Sequence, residues 1–138
     1  MGRRAGGRDA RRHLARAPRG ALPARAGLEL AIATADLTVI ALGRPDPSAG
    51  EYIAEIQRRL AAQDAVRYRM HAMGTSLEGS TEDILRVVGE LHAVPFEMDV
   101  PRVYTVLKLD ERRDRPDQTL DDKVASIERR LSTRSGTE

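Results

Sequence analysis

Two short segments hold most of the side chains that could grip or transform a ligand. Met73-Gly74-Thr75-Ser76-Leu77-Glu78-Gly79 sets two hydroxyls and a carboxylate between glycines, a tight turn leading into a strand that ends in an acid. Lys108-Leu109-Asp110-Glu111-Arg112-Arg113-Asp114 is a dense block of both charge signs. Hydroxyls beside a carboxylate can hydrogen-bond a polar ligand, and paired arginines suit forked recognition of carboxylates. On the residues alone, plainer readings stand beside these: the glycines as turn residues, the block as a solvated loop of mutual ion pairs.

Catalytic constellations are scarce. His13, His71 and His92 have no ligand spacing between them, and no HExxH, P-loop or GxGxxG occurs. Cysteine is absent, which excludes disulfides, thiolate metal sites and cysteine nucleophiles. Ser48 reads as a helix cap, and no Ser/His/Asp order points to a triad. Asp121 and Asp122 stand at a helix start, where the dipole favours acids. The expectation is a protein that is not an enzyme and carries neither cofactor nor metal.

The chain of 138 residues has room for one domain. Its residues are 41% hydrophobic but only 3% aromatic, so the core must be aliphatic. The net charge of +2 is unevenly spread. Residues 1–27 carry eight arginines against Asp9 alone, a balance of +7, and the remainder balances at −5. The basic character thus belongs to an Arg-rich leader, too poor in large apolar residues to order itself. A basic arm or a transit peptide would share that composition; a low-complexity extension, or a start assigned too far upstream, is the reading preferred. No apolar run is long enough for a membrane span, and a cytoplasmic location is expected.

Periodicity supplies the elements that must position these groups. Leu37, Val39 and Ala41 alternate with Thr38, Ile40 and Leu42, a strand apolar on both sides and therefore central. Ser48 and Glu51 have capping-box spacing ahead of a helix through Tyr52, Ile53, Ile56 and Leu60 to about Gln63. Val66, Tyr68, Met70 and Ala72 form the dry face of a second strand, with Thr75 to Glu78 returning as a hairpin. Ser80 and Asp83 cap a second helix with an apolar face of Ile84, Val87, Val88 and Leu91, which Pro95 ends or kinks near Phe96. Val103, Thr105, Leu107 and Leu109 mark a fourth strand, and Thr119 with Asp122 starts a third helix bearing Val124, Ile127 and Leu131. The order is βαββαβ with an added C-terminal helix, an α+β ferredoxin-like antiparallel sheet with two helices on one face. Residues 28–132 would be the domain and 133–138 a polar tail. Apolar residues on both sides of the first and last strands predict that the other face is covered too, in part by the third helix and in part by a second subunit.

With Leu42-Gly43 ending the first strand, the Met73–Gly79 turn and the Lys108–Asp114 block resemble the small thiamine-binding protein family related to YkoF. Ser48, Glu51 and Tyr52 match the family's usual start of the first helix, and the resemblance covers about residues 33–131. It departs from the pattern at Ala41, where the family has proline, and at Asp36, where it has glutamate. The resemblance implies a ferredoxin-like fold, association into dimers or tetramers, and binding of thiamine or its hydroxymethylpyrimidine part. A receptor for the aminopyrimidine needs an acceptor for the amino group, a donor for a ring nitrogen and apolar walls. Glu78 and Asp36 are the candidate carboxylates, Thr75 and Ser76 the candidate hydroxyl or amide donors, and Tyr52 a candidate stacking ring. Asp110, Arg112, Arg113 and Asp114 are expected at a subunit interface, the arginines forking onto a neighbour's carboxylates.

Two other functions fit the same fold, beside that of a purely structural partner protein with a vestigial pocket. RNA-binding modules of this class stack bases on closely spaced strand aromatics. Tyr68 and Tyr104 fall on different strands and the domain is acidic, so nucleic acid is disfavoured. A regulatory module of ACT type, binding an amino acid between subunits, is the main alternative.

Overall fold

A computed structural model describes residues 31–134, and the Arg-rich leader and the end of the polar tail lie outside the described residues. The elements follow in the order β1 (Ala33–Leu42), α1 (Gly50–Ala61), β2 (Arg67–His71), β3 (Gly74–Gly79), α2 (Thr81–Glu97), β4 (Arg102–Glu111) and α3 (Leu120–Arg134). The strands form one antiparallel sheet in the order β2-β3-β1-β4. This is the ferredoxin-like α+β arrangement with an added helix, and β1 is central, as its two-sided apolar pattern requires.

One face of the sheet carries α1 and α2. Ala33, Ala35, Leu37 and Val39 of β1 meet Tyr52, Ile56 and Leu60 of α1 and Ile84, Val87, Val88 and Leu91 of α2 in a single aliphatic core. Each Leu, Ile or Val buried there contributes about 1.5–3 kcal/mol against exposure. Ser80 caps α2, its Oγ accepting from the Asp83 N–H at 3.1 Å. Pro95 lies in the last turn, and the helix ends two residues later at Glu97.

The start of α1 differs from the capping-box expectation. The helix begins at Gly50 after Ala49, with no side-chain cap. Asp46 takes the Ser48 N–H at 2.9 Å, Arg44 donates to the Ser48 carbonyl at 2.7 Å, and Glu51 pairs with Arg44 at 3.7 Å. The loop thus consumes the groups that a box would use. At α3 the box is complete: Asp122 N–H donates to Thr119 Oγ1 at 3.1 Å, and Thr119 N–H to Asp122 Oδ2 at 3.0 Å.

The strands have unequal lengths. β1 pairs with β4 over all ten of its residues, from Ala33–Glu111 to Leu42–Arg102. Its pairing with β3 stops at Leu37–Thr75, where the hairpin turns back. The far end of β1 therefore keeps one side open. Met70, expected in the core, is 54% exposed because it lies on the edge strand β2 next to the hairpin tip, at the side of the open space left by this overhang.

Candidate functional site

The open side of β1 is the floor of a cavity of about 420 Å³, within the range of about 300–1,000 Å³ usual for small-molecule sites. Leu37 and Val39 rise from β1, Ile53, Ile56 and Gln57 descend from α1, and Met70 and Thr75 close it from the hairpin. The tip, His71 to Gly74, completes the rim. The walls are apolar, and their principal polar feature is a pair: Gln57 Nε2 donates to Thr75 Oγ1 at 3.0 Å. That bond leaves the amide oxygen of Gln57 and the hydroxyl proton of Thr75 for a ligand. His71 is the one titratable side chain among the lining residues.

The hairpin tip is held by its own small network. His71 Nδ1 accepts from the Met73 N–H at 3.3 Å, which places the proton of the neutral ring on Nε2, 2.7 Å from Asp36 Oδ1. Thr38 Oγ1 donates to the Met73 carbonyl at 3.2 Å. Gly74 is required here: a Cβ would stand 2.6 Å from the Leu37 carbonyl oxygen.

Of the residues singled out by sequence, Thr75 lines the cavity and is buried. Asp36 and Ser76 lie opposite each other on the other face of the sheet, in a broad shallow depression with Lys108, Asp110 and His71. Glu78 is on that face too, 3% exposed, beneath the start of α3. One of its oxygens takes Arg67 and the other accepts the Leu120 N–H at 3.0 Å, so the carboxylate joins β2 to the first turn of α3. Tyr52 is buried under β1, its hydroxyl accepting the Ala41 N–H at 3.3 Å, with the Arg44 guanidinium 5.5 Å from its ring. The structure thus divides the set between the two faces of the sheet, with His71 touching both.

The charged block continues from β4. Arg112 forks onto Asp114 within the same turn, which holds the Asp114 carboxyl below its usual range. Arg113 contacts Glu111 at 3.4 Å while its side chain is 90% exposed, and Asp110 pairs with Lys123 of α3. His92, on α2, bonds Thr105 Oγ1 at 2.7 Å and meets the edge of Phe96. Among the described residues no group of acids and histidines is placed to hold a metal ion, and no helix is long and apolar enough to cross a membrane.

Gln57 stands outside every sequence motif, and Val39, Ile53 and Ile56 read in the sequence only as apolar positions of β1 and α1. The available signal was a mismatch of strand lengths, ten residues in β1 against six in β3, with a glutamine on the apolar side of α1.

A sheet of this order with two helices on one face defines a ferredoxin-like α+β protein, and the cavity beneath α1 has the size of a small-molecule site. The chain belongs to the thiamine-binding protein family, whose model matches residues 35–128. It is 36% identical over 104 residues to a UPF0045 protein of Staphylococcus xylosus, covering 73% of this chain and 96% of that one. To the UPF0045 protein YqgV of Bacillus subtilis it is 34% identical over 103 residues, covering 72% and 98%. Among solved structures, MJ1052 of Methanocaldococcus jannaschii superposes with a TM-score of 0.64 at 32% identity, covering 71% of this chain and 97% of that one. A Thermotoga maritima protein, TM0486, named for a proposed part in thiamine biosynthesis or salvage, has the same fold, with a TM-score of 0.58 at 23% identity over 70% and 98%. Family membership supports a small-molecule-binding role.

Proposed function

We propose that this protein binds thiamine or its hydroxymethylpyrimidine part without turning it over, in salvage, buffering or sensing, and that the pyrimidine sits in the cavity beneath α1. The observation that carries this reading is the cavity itself: apolar walls around the Gln57–Thr75 pair, in a chain of the thiamine-binding family. Its lining includes no carboxylate, lysine or arginine, so a neutral ring fits it better than a charged one. The thiazolium would then lie outside, where the acidic balance of the domain favours a cation. Ile53, Ile56, Met70 and Met73 supply flat apolar contact, and thioethers pack well on aromatic faces.

The associated proposals are a cytoplasmic location and a second copy of the chain over the open sheet face, as a dimer or within a tetramer. Titration calorimetry of the full chain tests the ligand. Thiamine or the pyrimidine should bind saturably, and Thr75→Val should weaken binding about three- to tenfold, the worth of one lost hydrogen bond, with the melting temperature little changed. Heat from an amino acid and none from thiamine would replace this reading with the ACT-type one.

A further inference from the structure

The backbone of Val39 is the least explained feature of the cavity. Alternate residues of an antiparallel strand send both N–H and C=O to the same side. Two observations fix the side for the odd-numbered residues of β1. The Leu37 carbonyl oxygen faces Gly74 of β3, and the Ala41 N–H reaches the hydroxyl of Tyr52 rather than β4. The unbroken register with β4 from Ala33 to Leu42 carries the alternation through Val39. The N–H and C=O of Val39 therefore project toward β3, one step beyond the last β1–β3 pair.

The residue that would complete that step is Met73, but it lies in the hairpin turn just before β3 and makes no ladder bond to Val39. Its N–H goes to His71 Nδ1 and its carbonyl accepts from Thr38 Oγ1. The rung at Val39 is thus open, and it opens into the cavity that Val39 lines. A peptide group that faces such a cavity is hydrated, and a ligand that displaces the water must replace its hydrogen bonds, so the site favours one with a matching donor and acceptor.

We infer that this open rung reads the edge of a heterocycle in which a ring nitrogen stands beside an amino group. The ring nitrogen would accept from the Val39 N–H while the amino group donates to the Val39 carbonyl, reproducing one rung of a β-ladder. A peptide strand fits less well, because Tyr52 already closes the next donor at Ala41. The inference rests on the ligand reading above and names the edge by which that ligand is recognised.

The test compares 4-amino-5-hydroxymethyl-2-methylpyrimidine with its 4-oxo counterpart, which turns the amino donor into an acceptor and the ring acceptor into a donor. Both are titrated into the ¹⁵N-labelled full chain. The amino compound should bind at least about 30-fold more tightly, since the oxo form opposes both backbone groups. The Val39 amide should shift and exchange more slowly when the amino compound binds. Equal affinities, or perturbation of Ile53, Gln57 and Thr75 without Val39, would overturn the inference while leaving the ligand reading standing. Binding of thiamine without the free pyrimidine would also overturn it. Silence from thiamine, titrated in the same way, and from both pyrimidines would remove the ligand reading and this inference together.

Discussion

Glu78 shows how one side chain can answer to two chemistries in sequence and to one in space. A carboxylate closing a Gly-bounded strand beside Thr75 and Ser76 is a natural acceptor for an amino group. In the fold, alternation along β3 sends Thr75 and Glu78 to opposite faces, and α3 lands on Glu78. Its two oxygens are shared between Arg67 and the Leu120 N–H. Glu78→Ala should therefore cost roughly 3 kcal/mol of stability, as expected when one partner of a buried pair is removed, and should change thiamine affinity little. Denaturant unfolding with parallel titrations separates the two effects; a large loss of affinity at unchanged stability would return Glu78 to the ligand. Thr75 was legible as a site residue because its motif is local. Gln57 and Val39 were not, since what sets them apart is where β3 stops.

Among the elements, the two capping motifs differ in outcome for a physical reason. At Ser48 the preceding Asp46 and Arg44 compete for the same backbone groups, and the box is not made. At Thr119 the groups find each other, and the Asp122 carboxyl is held below its ordinary range, first by the Thr119 N–H and then by the Thr119 hydroxyl. A lowered folded-state pKa means stability that is present above the unfolded value and lost as pH falls through the folded one. The first turn of α3 should therefore fray on acidification through the lower part of the carboxylate range. Amide exchange of Asp122 and Lys123 followed from neutral pH downward would register it, and Asp122→Asn should make their protection much less sensitive to pH. Strand and helix existence was readable throughout from period and caps. The overhang of β1 was not, because its outer residues have the same alternation whether or not a neighbour pairs with them.

At the scale of the whole molecule, one sheet face is packed and the other is unfinished. Tyr104 and Val106 of β4 are 54% and 38% exposed, and Val124 and Ile127 of α3 are each 56% exposed. α3 buries none of its own residues; its attachments include Glu78, Arg69 to Asp121, and Asp110 to Lys123. An apolar stripe on a helix of this length, beside apolar strand residues, amounts to a surface that a lone chain would have to hold in water. A second copy laid face to face would cover it, and the exposed Arg113 stands at the end of β4 where a partner's carboxylate could be reached. Light scattering of the full chain should then give twice or four times the chain mass. Val106→Glu with Ile127→Glu should reduce it to the single-chain value while the circular dichroism of the fold is kept. Both substitutions put charge on surface that is exposed in the single chain, so they cost the isolated domain little. Arg113→Ala should shift the same equilibrium by a smaller amount, on the scale of one exposed ion pair. A wild-type mass equal to one chain would mean that α3 carries its stripe for another protein, and the open face would then be a heterologous interface.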